Sequence, residues 1–188
     1  MKTTIEHIFK ESIRVKEATL SKNLDEMMAA VKLVTDALKK NRKVILFGNG
    51  GSAADSQHIA AEFIGRFQKE RKALPAVALT TDTSALTALG NDYGFNVIFS
   101  RQIEGLGQKG DVAWGISTSG NSPNVIEGIK KAKQMGLKTL SLTGCDGGKL
   151  ARLTDISLIV PSSVTARIQE SHLCIAHAIC ELVENQFS

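Results

Sequence analysis

The sequence predicts an α/β, three-layer doubly wound fold with a five-stranded parallel sheet, preceded by N-terminal helices. Three features of the chain predict it. Apolar runs of four to six residues recur along it, amphipathic stretches of helical periodicity separate them, and four of the runs are followed by Gly, Ser or Thr. Strands that alternate with helices are typical of βαβ units, which build parallel sheets.

The first 42 residues are predicted to be helical. Apolar residues recur at helical spacing in one set from Ile5 to Ile13 and in another from Leu24 to Leu38. We expect two helices here, which cover either the sheet or a partner subunit. Residues 1–188 are therefore expected to form a single domain, with residues 1–42 as its N-terminal helical extension.

The remaining elements alternate regularly. The predicted strands are Lys43–Phe47, which runs into Gly48, then Ala76–Leu79, Asp111–Ile116, Leu137–Leu142 and Ile156–Val160. The predicted helices are Ala53–Phe67, Ser84–Leu89, Val97–Leu106, Pro123–Met135 and Thr165–Glu184. In an open parallel sheet, ligands bind at the carboxyl ends of the strands, so the loops that follow them are the candidate site.

Composition narrows the class of protein. The chain has 188 residues, 43% of them hydrophobic, and a formal net charge of +4. No basic run exceeds two residues, and there is one Trp and one Tyr, so nucleic acid is an unlikely partner. The mild excess of basic residues indicates either an ordinary solvated surface or a slight preference for anionic ligands.

Cysteine usage and the N-terminus favour the cytoplasm. Three cysteines, with no CxxC pair, are typical of a reducing compartment. The charged, amphipathic start does not resemble a signal peptide. No apolar run approaches the ~20 residues of a membrane span, so no membrane partner is expected.

The strongest anion-binding signal is the loop after the third predicted strand. Ser122 suits a helix N-cap and Pro123 the first helical position, and a helix start attracts anions. Capping alone would explain these two residues but leaves Ser117, Thr118 and Ser119 unexplained. The four hydroxyls of this loop therefore predict a phosphate site.

A glycine-rich loop follows the first predicted strand. Residues 48–53 match the G-x-G-x-x-A dinucleotide pattern, but the acidic residue expected about 20 positions later is missing. No Lys-Ser/Thr pair follows, which argues against a P-loop. We interpret Gly50 and Gly51, with Asn49 and Ser52 beside them, as a place where the backbone approaches a sugar or phosphate rather than NAD.

Two helices carry polar groups that suit a metal or a substrate. His58 and Glu62 lie one turn apart on one face, as a metal pair or an ordinary surface ion pair, and the spacing alone favours the ion pair. Arg66 continues that face, toward an anionic substrate or toward Glu62. On the last helix, Gln169 and His177 are eight residues and about 12 Å apart, which implies an elongated site or one shared between subunits.

Two further residues of the last helix are ambiguous. His172 lies within an apolar run and is interpreted as structural. Cys174 and His177, at positions i and i+3, are able to share a metal, but Cys at such a position is more often inert packing.

Five segments together resemble the sugar isomerase (SIS) domain family, and within it the bacterial phosphoheptose isomerases. They are FGNGGSAADSQHIAAEFIGRF (47–67), LTTDTSALTALGNDYGFN (79–96), GISTSGNSPNV (115–125), LTGCDGG (142–148) and TARIQESHLCIAHAIC (165–180). The resemblance spans nearly the whole chain and keeps the order of the motifs. It implies conversion of sedoheptulose 7-phosphate to D-glycero-D-manno-heptose 7-phosphate, for bacterial lipopolysaccharide or capsule, by a homotetramer with interfacial active sites.

The resemblance also implies residue roles. Glu62 aligns with the general base and His177 with the general acid. One zinc ion per subunit is implied at His58, Glu62, Gln169 and His177. Substrate contacts are implied at Ser52, Glu62, Arg66, Asp92, Ser117, Thr118, Ser119, Ser122 and Gln169. Some members carry an Asp as a sugar contact just before the Arg-Ile-Gln motif, where this chain has Ala166.

Two alternatives stay open. Some SIS relatives bind the bacterial replication initiator and share the ARIQE motif, but they lack equivalents of Glu62 and His177. Other SIS proteins isomerise or sense hexose or pentose phosphates with a similar phosphate loop.

Overall fold

The computed structural model describes residues 1–187 as an open α/β sheet covered by helices. Within these residues the helices are α1 (Lys2–Lys39), α2 (Gly51–Ile64), α3 (Thr83–Tyr93), α4 (Ile98–Leu106), α5 (Pro123–Gln134), α6 (Gly148–Ala151) and α7 (Thr165–Glu184), with a 3₁₀ turn at Phe95–Val97. The strands are β1 (Val44–Gly48), β2 (Ala76–Ala78), β3 (Val112–Ser117), β4 (Lys138–Gly144) and β5 (Ile156–Val160).

The sheet is parallel throughout its described strands, as predicted. Its order is β2-β1-β3-β4-β5, so the chain moves to one side of β1 and then crosses to the other. A crevice opens where the strand order reverses, outside the carboxyl ends of β1 and β3. The topology therefore places the glycine-rich loop and the hydroxyl-rich loop next to each other.

Both faces of the sheet are covered because the strands are apolar on both sides. Leu46 and Trp114 point into a core shared with α1, α2 and α7, while Ile45, Phe47 and Ala113 point into a core shared with α4 and α5. These strand residues are fully buried. Side chains alternate between faces along a strand, so continuous apolar runs of this kind are what a two-sided parallel sheet requires.

The N-terminal region contains the two predicted helical segments, which join directly in α1 rather than through a loop. They meet at a kink at Asn23, which leaves the helical conformation (φ −124°, ψ 15°). The Asn23 amide donates to the carbonyls of Thr19 (2.8 Å) and Ile159 (3.1 Å) and accepts from the Ile159 N–H (2.8 Å). The side chain thus pairs with the edge strand β5, and the helix locally unwinds to allow it.

Helix α1 covers the sheet on one side and exposes an apolar row on the other. Val15, Ala30, Val34 and Leu38 belong to the core. The exposed row consists of Ile5, Ile8, Phe9, Ile13, Leu20, Leu24 and Met28. None of the helices in residues 1–187 is apolar over a membrane-spanning length.

The remaining bounds agree closely with expectation, with exceptions in α2 and in α3, which is longer than the predicted Ser84–Leu89 and ends at Tyr93. Predicted strands match within two residues, and β5 and α7 match at both ends. Helix α2 was predicted as Ala53–Phe67 but ends at Ile64, because Gly65 leaves the helical conformation (φ −77°, ψ −110°). The one-turn helix α6 was not predicted.

His172 is structural, as predicted, and makes stability depend on pH. Its Nε2–H donates to the Thr143 carbonyl (3.0 Å), and burial lowers its pKa from 6.5 to about 4. Between those values the unfolded chain binds the proton more readily, so this contribution is complete above pH 6.5 and is lost as the pH falls. We expect the free energy of unfolding to drop by about 3 kcal/mol at pH 4 on this account.

The substitution His172→Gln tests this assignment, because an amide can keep the bond to Thr143 but does not titrate. Urea unfolding of both proteins at pH 6.5 and pH 4 measures the difference. A variant whose stability falls with pH as steeply as the wild type would contradict the assignment.

Candidate active site

The crevice between β1 and β3 is lined by the two predicted loops. Gly48 of β1 pairs with Ile116 of β3, so the loops leave the sheet at the same level. The Asn49 and Asn124 side chains exchange two amide hydrogen bonds, of 2.9 and 2.8 Å, across the gap. This reciprocal pair fixes the glycine-rich loop against the start of α5.

The hydroxyl-rich loop ends at the N-terminus of α5. Ser122 occupies the N-cap position, as predicted, but its hydroxyl makes no capping bond. It lies 2.9 Å from the Ser117 hydroxyl instead. In the first turn of α5, Pro123 has no N–H and the Val125 N–H donates to the Asn124 side chain, so the neighbouring hydroxyls and the Asn124 N–H are the donors available to a phosphate group.

This loop is packed tightly against the loop after β4. Gly120 has a positive φ (+63°), and a Cβ there would overlap the carbonyl oxygen of Gly147. The Thr118 carbonyl accepts from the Gly144 N–H at 3.0 Å. The loop conformation is therefore set by backbone contacts that leave no space for a side chain at residue 120.

Three potential metal ligands meet between α2 and α7. His58 Nε2 lies 3.1 Å from a Glu62 carboxylate oxygen and 3.0 Å from His177 Nε2. The three donor atoms all lie within 4.8 Å of one another. His58 and Glu62 therefore form the predicted pair on α2. The approach of His177, 119 positions away, also makes them candidate metal ligands.

The donor set fits a zinc ion. Two histidine nitrogens and a carboxylate oxygen are ligands that zinc prefers, and ligands of tetrahedral zinc lie about 3.3 Å apart. The observed separations of 3.0 and 3.1 Å are close to that value. Two unprotonated imidazole nitrogens facing each other also repel unless a proton or a cation lies between them.

Gln169 lies at the other end of the α2–α7 contact. Its amide lies against Gly51, where a Cβ would overlap it. Helices α2 and α7 run side by side, so Gln169 faces the glycine-rich loop and His177 faces His58 and Glu62. Within one chain, Gln169 and His177 therefore lie at opposite ends of the α2–α7 contact, about 12 Å apart along α7.

Two residues near the three-residue cluster, Cys180 and Asp55, are poorly solvated. Burial raises the pKa of Cys180 to about 12, with a further contribution from the Glu62 charge. Burial also raises the pKa of Asp55, against the opposing effect of His58. Cys180 therefore stays a thiol at neutral pH and does not compete as a metal ligand.

Other predicted residues lie apart from these contacts. Arg66 is exposed, and its guanidinium lies 3.7 Å from Glu70, so the alternative pairing with Glu62 is wrong. Asp92 accepts a hydrogen bond from its neighbour Asn91 (2.8 Å) on α3, which has no buried residue. Cys174 is an exposed free thiol.

Sequence reasoning missed several residues that shape the site. Phe67 places its ring 5.3 Å from the His177 ring. Arg71 and Glu184 form a buried ion pair below it (3.3 Å), and Asn124 holds Asn49. No periodicity or local motif links residues so far apart, although the two consecutive capping signals before α5 drew attention to that neighbourhood.

The comparisons with known proteins agree with one another. The family model for the SIS domain matches residues 7–144. A phosphoheptose isomerase of Aquifex aeolicus is 57% identical over 96% of this chain and 94% of its own length. The structure of phosphoheptose isomerase GmhA from Neisseria gonorrhoeae superposes with a TM-score of 0.93 at 47% identity, covering 98% of both chains. That of a phosphoheptose isomerase from Francisella tularensis gives 0.94 at 36% identity, covering 97% of both.

Proposed function

Because the chain belongs to the SIS family, and within it to the phosphoheptose isomerases, we propose that it converts sedoheptulose 7-phosphate to D-glycero-D-manno-heptose 7-phosphate. The observation that carries the proposal is the meeting of Glu62 and His177 around His58, in a chain that also has a loop suited to phosphate at the carboxyl ends of its strands. A carboxylate and an imidazole on facing helices are the two groups that an aldose–ketose isomerase requires.

The reaction moves one hydrogen between neighbouring carbons. Glu62 takes the proton from C1 of the ketose, and the enediolate that results receives a proton at C2. His177 protonates or hydrogen-bonds the sugar oxygens as their charge changes. No atom is gained or lost, so no oxidant or second substrate is needed.

We assign phosphate binding to the hydroxyl-rich loop and the start of α5. The hydroxyls of Ser117, Thr118, Ser119 and Ser122 orient the phosphate without adding charge. We assign contacts with the sugar hydroxyls to the glycine-rich loop and the α7 residue that faces it, namely Asn49, Gly50, Gly51, Ser52 and Gln169. This places substrate along the crevice at the strand-order reversal.

His58, Glu62 and His177 of one chain are the residues that would hold a zinc ion, and Gln169, about 12 Å along α7 from His177, would join such a site only from a neighbouring subunit. Such an ion, when bound, supplies Lewis-acid polarisation of the sugar carbonyl. A carboxylate bound to a cation would be a weaker base, so Glu62 would act as the base only while it is free of the ion.

We further propose a homotetramer of single-domain subunits that works in the cytoplasm and feeds lipopolysaccharide or capsule synthesis. The exposed apolar row of α1 supports association, because a surface of this kind is stabilised by burial against another subunit. Arg66 and Asp92, which are exposed in one chain, complete the substrate site in the assembled enzyme. No contribution of Ala166 to sugar binding is proposed.

A panel of ketose phosphates tests the function. We would follow sedoheptulose 7-phosphate, fructose 6-phosphate and ribulose 5-phosphate by NMR, with added zinc and with a chelator. We expect kcat/KM for the heptulose to exceed the others by at least about tenfold, since its additional hydroxyls have partners along the crevice. Faster conversion of a shorter sugar would reassign the substrate, and binding without conversion would favour the initiator-binding class of SIS proteins.

Gly51→Ala tests the placement of Gln169. The added methyl group displaces the Gln169 amide, whereas alanine suits the first turn of a helix. We expect kcat/KM to fall about 10- to 100-fold with little change in Tm, because supporting contacts of this kind have effects of that size. Gly105→Ala in α4, where the methyl group meets nothing within 4 Å, is the matched control. Unchanged kcat/KM in Gly51→Ala would contradict the role of Gln169.

A further inference from the structure

The carboxylate of Glu184 fastens the last turn of α7 to the segment that follows α2. It is 1% exposed and accepts hydrogen bonds from the backbone N–H groups of Phe67 (2.8 Å), Gln68 (2.7 Å) and Lys69 (2.8 Å). Burial by itself would raise the pKa of Glu184, but these donors and Arg71 lower it. The carboxylate is therefore charged and fully engaged at neutral pH.

Arg71 fastens the same segment to the end of α2. Its guanidinium donates to the carbonyls of Glu62 (2.7 Å), Phe63 (2.8 Å) and Gly65 (3.0 Å), and its Nε lies 3.3 Å from Glu184. Carbonyls in the last turn of a helix lack partners within the helix, and α2 has no basic residue there. Arg71 therefore acts as a long-range cap for α2.

Both sets of hydrogen bonds connect to a proposed catalytic residue. Arg71 holds the backbone of Glu62, which is the proposed base. Glu184 holds the backbone of Phe67, and the Phe67 ring lies 5.3 Å from the ring of His177, the proposed acid. One buried pair is thus connected to the base through α2 and to the acid through Phe67.

We propose that Arg71 and Glu184 are positioning residues that set the distance between Glu62 on α2 and His177 on α7. This inference rests on the proposed isomerase function. Stability alone is a weak reason for a buried ion pair, because an apolar replacement is often at least as stable. Alignment of reacting groups is a stronger reason, since a displacement of about 1 Å at an active site lowers rates about 100-fold.

Glu184→Gln tests the inference, with Asp111→Asn as its matched control. Asp111 is also buried, accepts from two backbone N–H groups, of Lys43 (3.0 Å) and Gln108 (2.9 Å), and pairs with the Lys43 ammonium. It lies just before β3, at the end of the sheet opposite the crevice. The two substitutions therefore remove the same kind of interaction near the site and far from it.

We expect Glu184→Gln to lower kcat and zinc affinity about 10- to 100-fold. KM should stay within about threefold, because the phosphate loop follows β3 and is part of neither α2 nor α7. Asp111→Asn should keep wild-type kcat. Steady-state kinetics measure kcat and KM of each variant, and a chelator competition measures its zinc affinity. A Glu184→Gln enzyme with the kcat of the control would overturn the inference.

Phe67→Leu tests the inference if Glu184→Gln does not fold. Glu184 binds only the backbone N–H of Phe67, so this substitution keeps that hydrogen bond and changes only the ring beside His177. We expect its kcat to fall about tenfold at unchanged KM, and a wild-type kcat would overturn the inference. The wild-type enzyme in the same assay separates the two proposals. If it does not convert the sugar, the proposed function fails, whereas an active wild type with an equally active variant defeats only the positioning role.

Discussion

Glu62→Gln is expected to lower kcat by about 10²- to 10⁴-fold while the fold stays intact, because removing a general acid–base group has effects of that size. The amide has the volume of the carboxylate and can still accept a hydrogen bond from His58, but it cannot take a proton from carbon. The side chain is partly exposed, and its partner His58, 3.1 Å away, is itself 46% exposed, so the fold loses no buried contact. Steady-state kinetics and a thermal unfolding curve measure the two effects.

Glu70→Gln provides the control for that substitution. Glu70 is 88% exposed and pairs only loosely with Arg66, at 3.7 Å, on the segment that follows α2. The same chemical change there should leave kcat unaltered. A Glu62→Gln protein that retains zinc and turns over at nearly the wild-type rate would show that Glu62 is not the base.

Gly120→Ala is the second change with a large expected effect, this time on substrate binding. The methyl group would be forced against the Gly147 carbonyl at a backbone position of positive φ, so the hydroxyl-rich loop has to move. We expect KM to rise about 100-fold, the amount associated with losing one or two hydrogen bonds to a charged phosphate. Kinetics and isothermal titration with inorganic phosphate measure the loss.

Gly136→Ala is the control for Gly120→Ala. It introduces the same kind of backbone strain without displacing the hydroxyl-rich loop. Gly136 also has a positive φ (+76°), but it lies in the turn before β4, at the end of the sheet away from the crevice. Strain of about 1 kcal/mol should lower the Tm of this variant without changing KM. A Gly120→Ala enzyme with a wild-type KM would argue against phosphate binding by this loop.

The sheet could be predicted from the sequence because its signals are local. Strands buried on both faces are continuous apolar runs, and a helix that covers a sheet repeats its apolar residues every three or four positions. The ends of β5 and α7 followed from these patterns. The break at Asn23 did not, since it depends on hydrogen bonds to Ile159, which is 136 positions away.

The site was predictable only in part, because several of its contacts join residues that are far apart in the sequence. Its loops follow strands and could be located from the topology of parallel sheets. His58 and Glu62 could be paired by helical spacing, but the approach of His177 follows from how α7 packs on α2, which no local pattern specifies. The Arg71–Glu184 pair gave no signal at all, because two ordinary charged residues 113 positions apart become buried only in the folded chain.

The central claim is that Glu62 and His177 move a proton between two carbons of a heptulose phosphate. The most direct test is an NMR time course of sedoheptulose 7-phosphate with the wild-type protein in D₂O. We predict signals of the aldose phosphate with deuterium at C2, because the partly exposed Glu62 carboxylate exchanges its proton with solvent. Aldose without deuterium would show that the base returns the proton before it exchanges with solvent, and an unchanged ketose spectrum would contradict the central claim.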